Sequence, residues 1–189
     1  MSLIPRVATS PDFIQSVMDD PRVRPWIAPD GVDGPLSLAA IFDQGICLEF
    51  DGGGFFFHRL GDGVMEVHTM FLPGTSRVAD ACRAAAEYLF CQTECLKIVT
   101  KVPVDNVPAL RLTERVGFRL DYVQSAAFLR GGIAHDVKHY SWDIDLWLRG
   151  TDGPRWAYQR CCVAGNRDKG LRLAYRWAVT NDDYSILES

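Results

Sequence analysis

Glu66 and His68 stand two residues apart in the alternating run VMEVHTMFL (residues 64–72), which reads as a strand, so they share one face with Val64 and Met70. A carboxylate and an imidazole on one strand face can take a proton from an attacking group. A strand histidine hydrogen-bonded to a neighbour would look the same in sequence, and both readings stay open. Anion binding is the second chemistry on offer. Pro73 and Gly74 end the strand and Thr75 or Ser76 can cap a helix start. The N–H groups of Arg77, Val78, Ala79, Asp80 and Ala81, with the positive end of the helix dipole, would then suit a phosphate. An ordinary alanine-rich helix packed on a sheet accounts for the same residues. Asn106 is the third candidate: it can cap a helix, which suffices to explain it, and its amide can also reach a ligand.

The elements that must position these groups are legible as a βαβ unit. After Gly74 the apolar period changes from two to three and four: Val78, Ala81, Cys82, Ala85 and Leu89 form a helical stripe ending near Phe90. Residues 96–104 (LKIVTKVPV) are rich in β-branched residues and read as a second strand, parallel to the first because a helix joins them. Asp105 and Asn106 can start a further helix with Ala109, Leu112 and Val116 inward, Gly117 at its C-terminal end and Phe118 beginning the next strand.

Asn106, Ala109, Gly117 and Phe118 give the spacing N-x-x-A-x(7)-G-F, and here the chain resembles the GCN5-related N-acetyltransferase family. The likeness covers roughly residues 1–148. It implies a mixed α+β fold: a mostly antiparallel sheet with a central parallel strand pair, flanking helices and, in this chain, a C-terminal helical tail. It also implies that acetyl-CoA lies where the two parallel strands splay. Main-chain groups of Met70, Phe71 and Leu72 would pair with pantetheine, residues 76–81 would hold pyrophosphate, and Asn106 would touch the cofactor arm or the attacking amine. Glu66 and His68 become the base candidates, since relatives often carry a carboxylate or polar residue on this strand. The family loop R/Q-x-x-G-x-G/A is matched poorly. Ser76 stands for Arg or Gln, Ala79 for the first glycine and Ala81 at the small last position, with Arg77 able to supply charge. Thr113 occupies the place where many relatives use a tyrosine acid. A small residue pair and Asp136 before the last strand resemble the branch acting on protein N-termini. The wording VHT before the loop and VTKVP before Asn106 is similar to small phage-encoded acetyltransferase-like proteins.

The remaining segments fit that layout. A short strand is expected over residues 3–8, then a helix capped by Thr9 or Ser10, with Pro11 at its first position and Phe13, Ile14, Val17 and Met18 as its stripe. Residues 22–35 read as a loop on the substrate side and residues 36–42 as a second short helix. Strands over 45–50 and 55–60, separated by glycine-rich turns, predict an antiparallel meander feeding residue 64 onward. Residues 119–130 and 133–148 read as two strands joined by Gly131 and Gly132, with Trp142 and Trp147 burying large surface.

The organisation expected is an acetyltransferase-like domain, residues 1–150, and a basic, aromatic helical extension, residues 151–189, with helices over 155–162 and 171–179. Composition is that of an ordinary water-soluble chain without a membrane span or leader, so a cytoplasmic location is expected. The formal charge of −4 hides a local +5 in residues 154–178. Arginines interleaved with Trp156, Tyr158, Tyr175 and Trp177 suit packing or an oligomer contact better than nucleic acid. The six cysteines are expected as reduced thiols. A zinc site from Cys91, Cys95, His135 and His139 is rejected, because neither pair has finger spacing. Two functions compete. One is transfer of acetyl from acetyl-CoA to a primary amine, either a protein N-terminus or a small amine, in a ternary complex. The other is a catalytically inactive binding or assembly module of the same fold.

Overall fold

The computed structural model describes residues 3–32, 34–163 and 165–183. Its centre is a seven-stranded sheet in the order β1-β2-β3-β4-β5-β7-β6. The strands are β1 (Arg6–Val7), β2 (Gly45–Phe50), β3 (Gly53–Gly61), β4 (Val64–Phe71), β5 (Lys97–Pro103), β6 (Arg119–Arg130) and β7 (Ile133–Asp143). Only β4 and β5 run parallel; every other neighbouring pair is antiparallel. The mixed, mostly antiparallel sheet expected from the sequence is therefore the one found.

Both sheet faces are covered, which explains the unbroken run Phe55-Phe56-Phe57. Phe55 and Phe57 point to the layer of α3 (Val78–Gln92) and α4 (Val107–Val116), where they join Leu48, Met65, Val67, Leu89, Phe90, Ile98 and Trp142. Phe56 points the other way, to α1 (Asp12–Met18), and packs with Ile14, Val17, Met18, Cys47 and Met70. At the end of α4, Gly117 adopts φ 111°, a conformation that a Cβ would strain.

Several expectations are corrected. The strand expected over 133–148 stops at Asp143, whose carboxylate accepts the Leu146 N–H at 2.7 Å and caps α5 (Ile144–Arg149). Trp142 is thus a strand residue and Trp147 a helix residue, though both are buried. The helix expected over 36–42 is two 3₁₀ turns, Leu38–Ala40 and Phe42–Gln44, while the loop over 22–35 contains the four-residue α2 (Arg24–Ile27). The expected caps of the first two long helices are absent. Pro11 precedes α1 with no side-chain cap, and Ser10 Oγ bonds the Asp12 carboxylate instead. α3 starts after Arg77, also without a side-chain cap, because Thr75 Oγ1 is spent on the Leu72 carbonyl at 2.8 Å. Of the expected α4 stripe, Val116 is buried and Leu112 packs against the core, Thr113 is buried with them, and Ala109 and Leu112 also border a cleft.

The C-terminal helices α6 (Pro154–Val163) and α7 (Arg167–Asn181) add to the same core through Ala157, Cys161 and Leu173. Trp156 packs on Trp147 with ring centroids 5.5 Å apart. Arg160 binds Glu87 at 2.7 Å and Arg176 binds Asp145 at 2.5 and 2.8 Å, so basic side chains of the tail meet acids of the body. Residues 184–189 of the expected extension lie outside the described residues. All six cysteines are free thiols, and burial pushes Cys82 up to about 12 and Cys47 and Cys95 up to about 11. No helix among the described residues is long and apolar enough to cross a membrane, and no cluster among them could hold a metal ion.

Candidate active site

The parallel strands pair over only three positions: Val64 with Lys97, Met65 with Ile98 and Glu66 with Val99. Beyond Glu66 they part, because β4 stays in register with β3 as far as Phe71 while β5 follows β7 from Lys97 to Pro103. Across the start of the gap the Thr100 hydroxyl donates to the Val67 carbonyl at 3.2 Å. Strand main-chain groups alternate in direction, so Thr69 and Phe71, like Val67, turn theirs toward the opening. The opening passes through the sheet. A cleft of about 380 Å³ lies on one side and a narrow apolar chamber between α3 and α4 on the other, and both are lined by Val67, Thr69, Thr100, Leu112 and Thr113.

The base candidates stand at this parting. Glu66 is buried to 9% exposure and its Oε1 lies 3.1 Å from Lys101 Nζ. His68 is one strand step further along the same face, with its ring parallel to Phe56 at 6.4 Å, and keeps an exposed edge in the cleft. Loss of water around it holds its pKa below the ordinary histidine value; His58 and Lys101 push the same way and Glu66 opposes them. The ring is therefore neutral near pH 7 and able to accept a proton. Asn106 caps α4 by accepting the Ala109 N–H at 3.2 Å, which is its bland role, and also lines the cleft.

Two residues in this group escaped the sequence reading. Lys101 faces Glu66 from β5, thirty-five positions away in the chain. His139, considered above only as a zinc ligand, pairs with Lys101 in register and lines the cleft. Its Nε2 lies 3.1 Å from Gln124 Oε1 and its ring stacks on Tyr122 at 4.2 Å. Desolvation, then Lys101, lowers its pKa as well. The signal for both was the alternation of residues 97–103 and 133–143, but which strands would be neighbours is not written in either run.

The phosphate-loop candidates are placed separately. Ser76, Arg77 and Ala81 line a recess of about 330 Å³ together with Phe71 and Gly52. The first helical bond is Ala81 N–H to the Arg77 carbonyl at 3.0 Å, so the N–H groups of Val78, Ala79 and Asp80 precede it at an uncapped helix start. Arg77 is in the left-handed conformation and bonds Asp80 at 3.1 Å. Ala79 packs against the core, so its methyl is turned inward. Met70 is buried under α1 and the Leu72 N–H donates to Gly52 at 2.9 Å, so of the three expected cofactor-strand residues only Phe71 turns its main chain to the opening. Thr69, which was not expected, does so too. Gly52 holds this loop: its φ is 77°, and a Cβ there would lie 2.4 Å from Thr75 Oγ1. Gly52→Ala is expected to destabilise the protein by about 1–3 kcal/mol, read from a shifted denaturant midpoint.

Residues 24–30 border the far end of the cleft. Trp26 and Ile27 of α2 line it opposite Phe128 of β6. The Arg130 guanidinium lies 4.5 Å from the Trp26 ring centroid and 4.8 Å from that of Phe128, and binds Asp105 at 2.5 Å. Asp30 adds two bonds to the hairpin of β6 and β7, N–H to the Leu129 carbonyl at 2.9 Å and carboxylate to the Gly132 N–H at 2.8 Å. The loop expected on the substrate side is thus fastened to the hairpin.

No family model matches the sequence, and no curated protein matches it significantly. Solved structures do match the fold. An acetyltransferase of the GNAT (GCN5-related N-acetyltransferase) family from Bacillus anthracis is 17% identical, with a TM-score of 0.59 over 76% of this chain and 96% of its own. A spermidine N-acetyltransferase from Vibrio cholerae, in complex with CoA and spermine, is 18% identical, with a TM-score of 0.60 over 75% of this chain and 95% of its own. A probable GNAT-family acetyltransferase from Chromobacterium violaceum is 16% identical, with a TM-score of 0.56 over 76% and 83%. The fold of this chain is that of the GNAT acetyltransferases.

Proposed function

We propose that the protein transfers an acetyl group from acetyl-CoA to a primary amine by direct attack in a ternary complex. The single observation that carries this reading is the parting of β4 and β5 beyond Glu66, which leaves main-chain groups of Val67, Thr69 and Phe71 facing a gap through the sheet. Such a gap suits a narrow, amide-bearing arm that adds to a strand edge. The uncapped start of α3 supplies the N–H groups of Val78, Ala79 and Asp80 for a pyrophosphate, with Ser76, Arg77 and Ala81 lining the recess in front of them.

In the reaction the amine nitrogen forms a bond to the thioester carbonyl carbon and the carbon–sulfur bond breaks. The ammonium proton passes to His68, directly or through water, with Glu66 beside it, and the CoA thiolate takes up a proton as it leaves. Thr113 holds the position of the family's tyrosine and is buried, while the Thr100 hydroxyl stands at the parting itself. The Thr100 proton is donated to the Val67 carbonyl and would have to turn away from it to reach the thiolate, and neither hydroxyl is as strong an acid as a phenol. Asn106 at the α4 start helps to orient the amine.

Calorimetric titration with acetyl-CoA tests the assignment, and binding in the micromolar range is expected. The competing reading, an inactive module, draws on the Ser76 and Ala79 replacements and on the Arg77–Asp80 pair at the loop. Absence of binding at millimolar acetyl-CoA would favour that module. A protein N-terminus and a small amine are both acceptors compatible with the fold.

A further inference from the structure

The cleft that would receive the acceptor is electrically balanced before anything enters it. Among the described residues Glu66 is the only carboxylate in its lining and Lys101 the only ammonium, and the two are 3.1 Å apart. His68 and His139 are held neutral by loss of water. Arg130, behind the wall, is matched by Asp105. Apart from Gln124, bonded to His139, and Asn106, which caps α4, the acceptor side is walled by apolar side chains: Trp26, Ile27, Ala127, Phe128 and Val137. The rings of Trp26 and Phe128 are fixed from behind by the same guanidinium, so this wall is built in place.

We infer that the acceptor is a primary amine with a single charge on a compact apolar or aromatic body, and that polyamines are poor acceptors. The inference rests on the acyl-transfer reading. One ammonium can share Glu66 with Lys101 and lose its proton before attack. A second or third ammonium would sit beside the Lys101 ammonium with no acid among the described lining residues to meet it, which is costly in a half-dry site. An aromatic or aliphatic body, by contrast, covers the Trp26 and Phe128 rings and gains from leaving water.

The test uses the full chain, 2-phenylethylamine and spermidine at matched ionic strength, and two readouts. In steady-state kinetics with saturating acetyl-CoA, kcat/KM for 2-phenylethylamine is expected to exceed that for spermidine by roughly tenfold or more. Trp26→Ala and Phe128→Ala should each raise its KM about tenfold, with the calorimetric Kd for acetyl-CoA unchanged. Lys101→Met, which frees Glu66, should narrow the gap by improving spermidine. Equal or better turnover of spermidine, or an unmoved KM in Trp26→Ala, overturns the inference. Direct calorimetric titration of each amine without acetyl-CoA separates this from the parent reading. If acetyl-CoA does not bind, acyl transfer fails, yet tighter binding of 2-phenylethylamine still upholds the cleft's preference and tighter spermidine defeats it.

Discussion

Removing residues 151–189 is expected to leave a chain that aggregates or unfolds, not a smaller working domain. The two helices lost cover Phe90, Cys91, Trp147 and Leu148, each now 7% exposed or less, and contribute Ala157, Cys161 and Leu173 to the same core. Each large side chain so uncovered loses about 1.5–3 kcal/mol of transfer free energy. A few such losses equal a typical net stability of about 5–15 kcal/mol. The ion pairs add less, since Arg176 and Asp145 are each more than a third exposed. The Asp145 carboxyl is held below its usual range, first by the hydrogen bonds from Arg176. A depressed carboxylate stabilises the fold above its unfolded pKa, so this clasp persists through neutral pH and is released as pH falls below about 3.9. Size-exclusion chromatography and thermal melts of the truncated chain decide the matter; a monodisperse, equally stable product would show that the tail is not part of the core. Leu173→Ala is the milder version, expected to cost roughly 2–5 kcal/mol.

His68→Ala is expected to lower kcat about 10²–10⁴-fold while leaving the affinity for acetyl-CoA nearly unchanged. The reason is position: the imidazole is in the cleft on the acceptor side, while the main-chain groups assigned to the cofactor belong to Val67, Thr69 and Phe71. Its pH profile adds an independent readout. Because desolvation lowers the His68 pKa, the base form survives to lower pH than in an ordinary histidine, so the acid limb of the wild-type rate should fall at lower pH than a free imidazole would give. The Ala variant should lose that acid limb. Unchanged turnover would remove His68 from the mechanism and move the role to His139 or Glu66, which His139→Ala and Glu66→Gln would then separate.

What the sequence determined by itself was the succession of elements around the site. The period of residues 64–72, the three-and-four spacing from Val78 to Leu89, the Asn106 cap and the glycine at 117 are local signals, written in neighbouring residues and read as such. They placed Glu66, His68 and Asn106 on the cleft lining. Trp147 misled the strand reading, since a large apolar residue suits a buried helix as well as a strand and only the Asp143 bond to Leu146 settles the difference. The site itself came from the tertiary structure. β4 and β5 part because each is held along its length by a different outer neighbour, and those pairings join residues far apart in the chain. The same distance hid Lys101 opposite Glu66, His139 beside them, and Arg130 between Trp26 and Phe128. Short-range periodicity fixes which face of an element a side chain occupies, whereas the charge and shape of a cleft depend on which faces the folded sheet brings together.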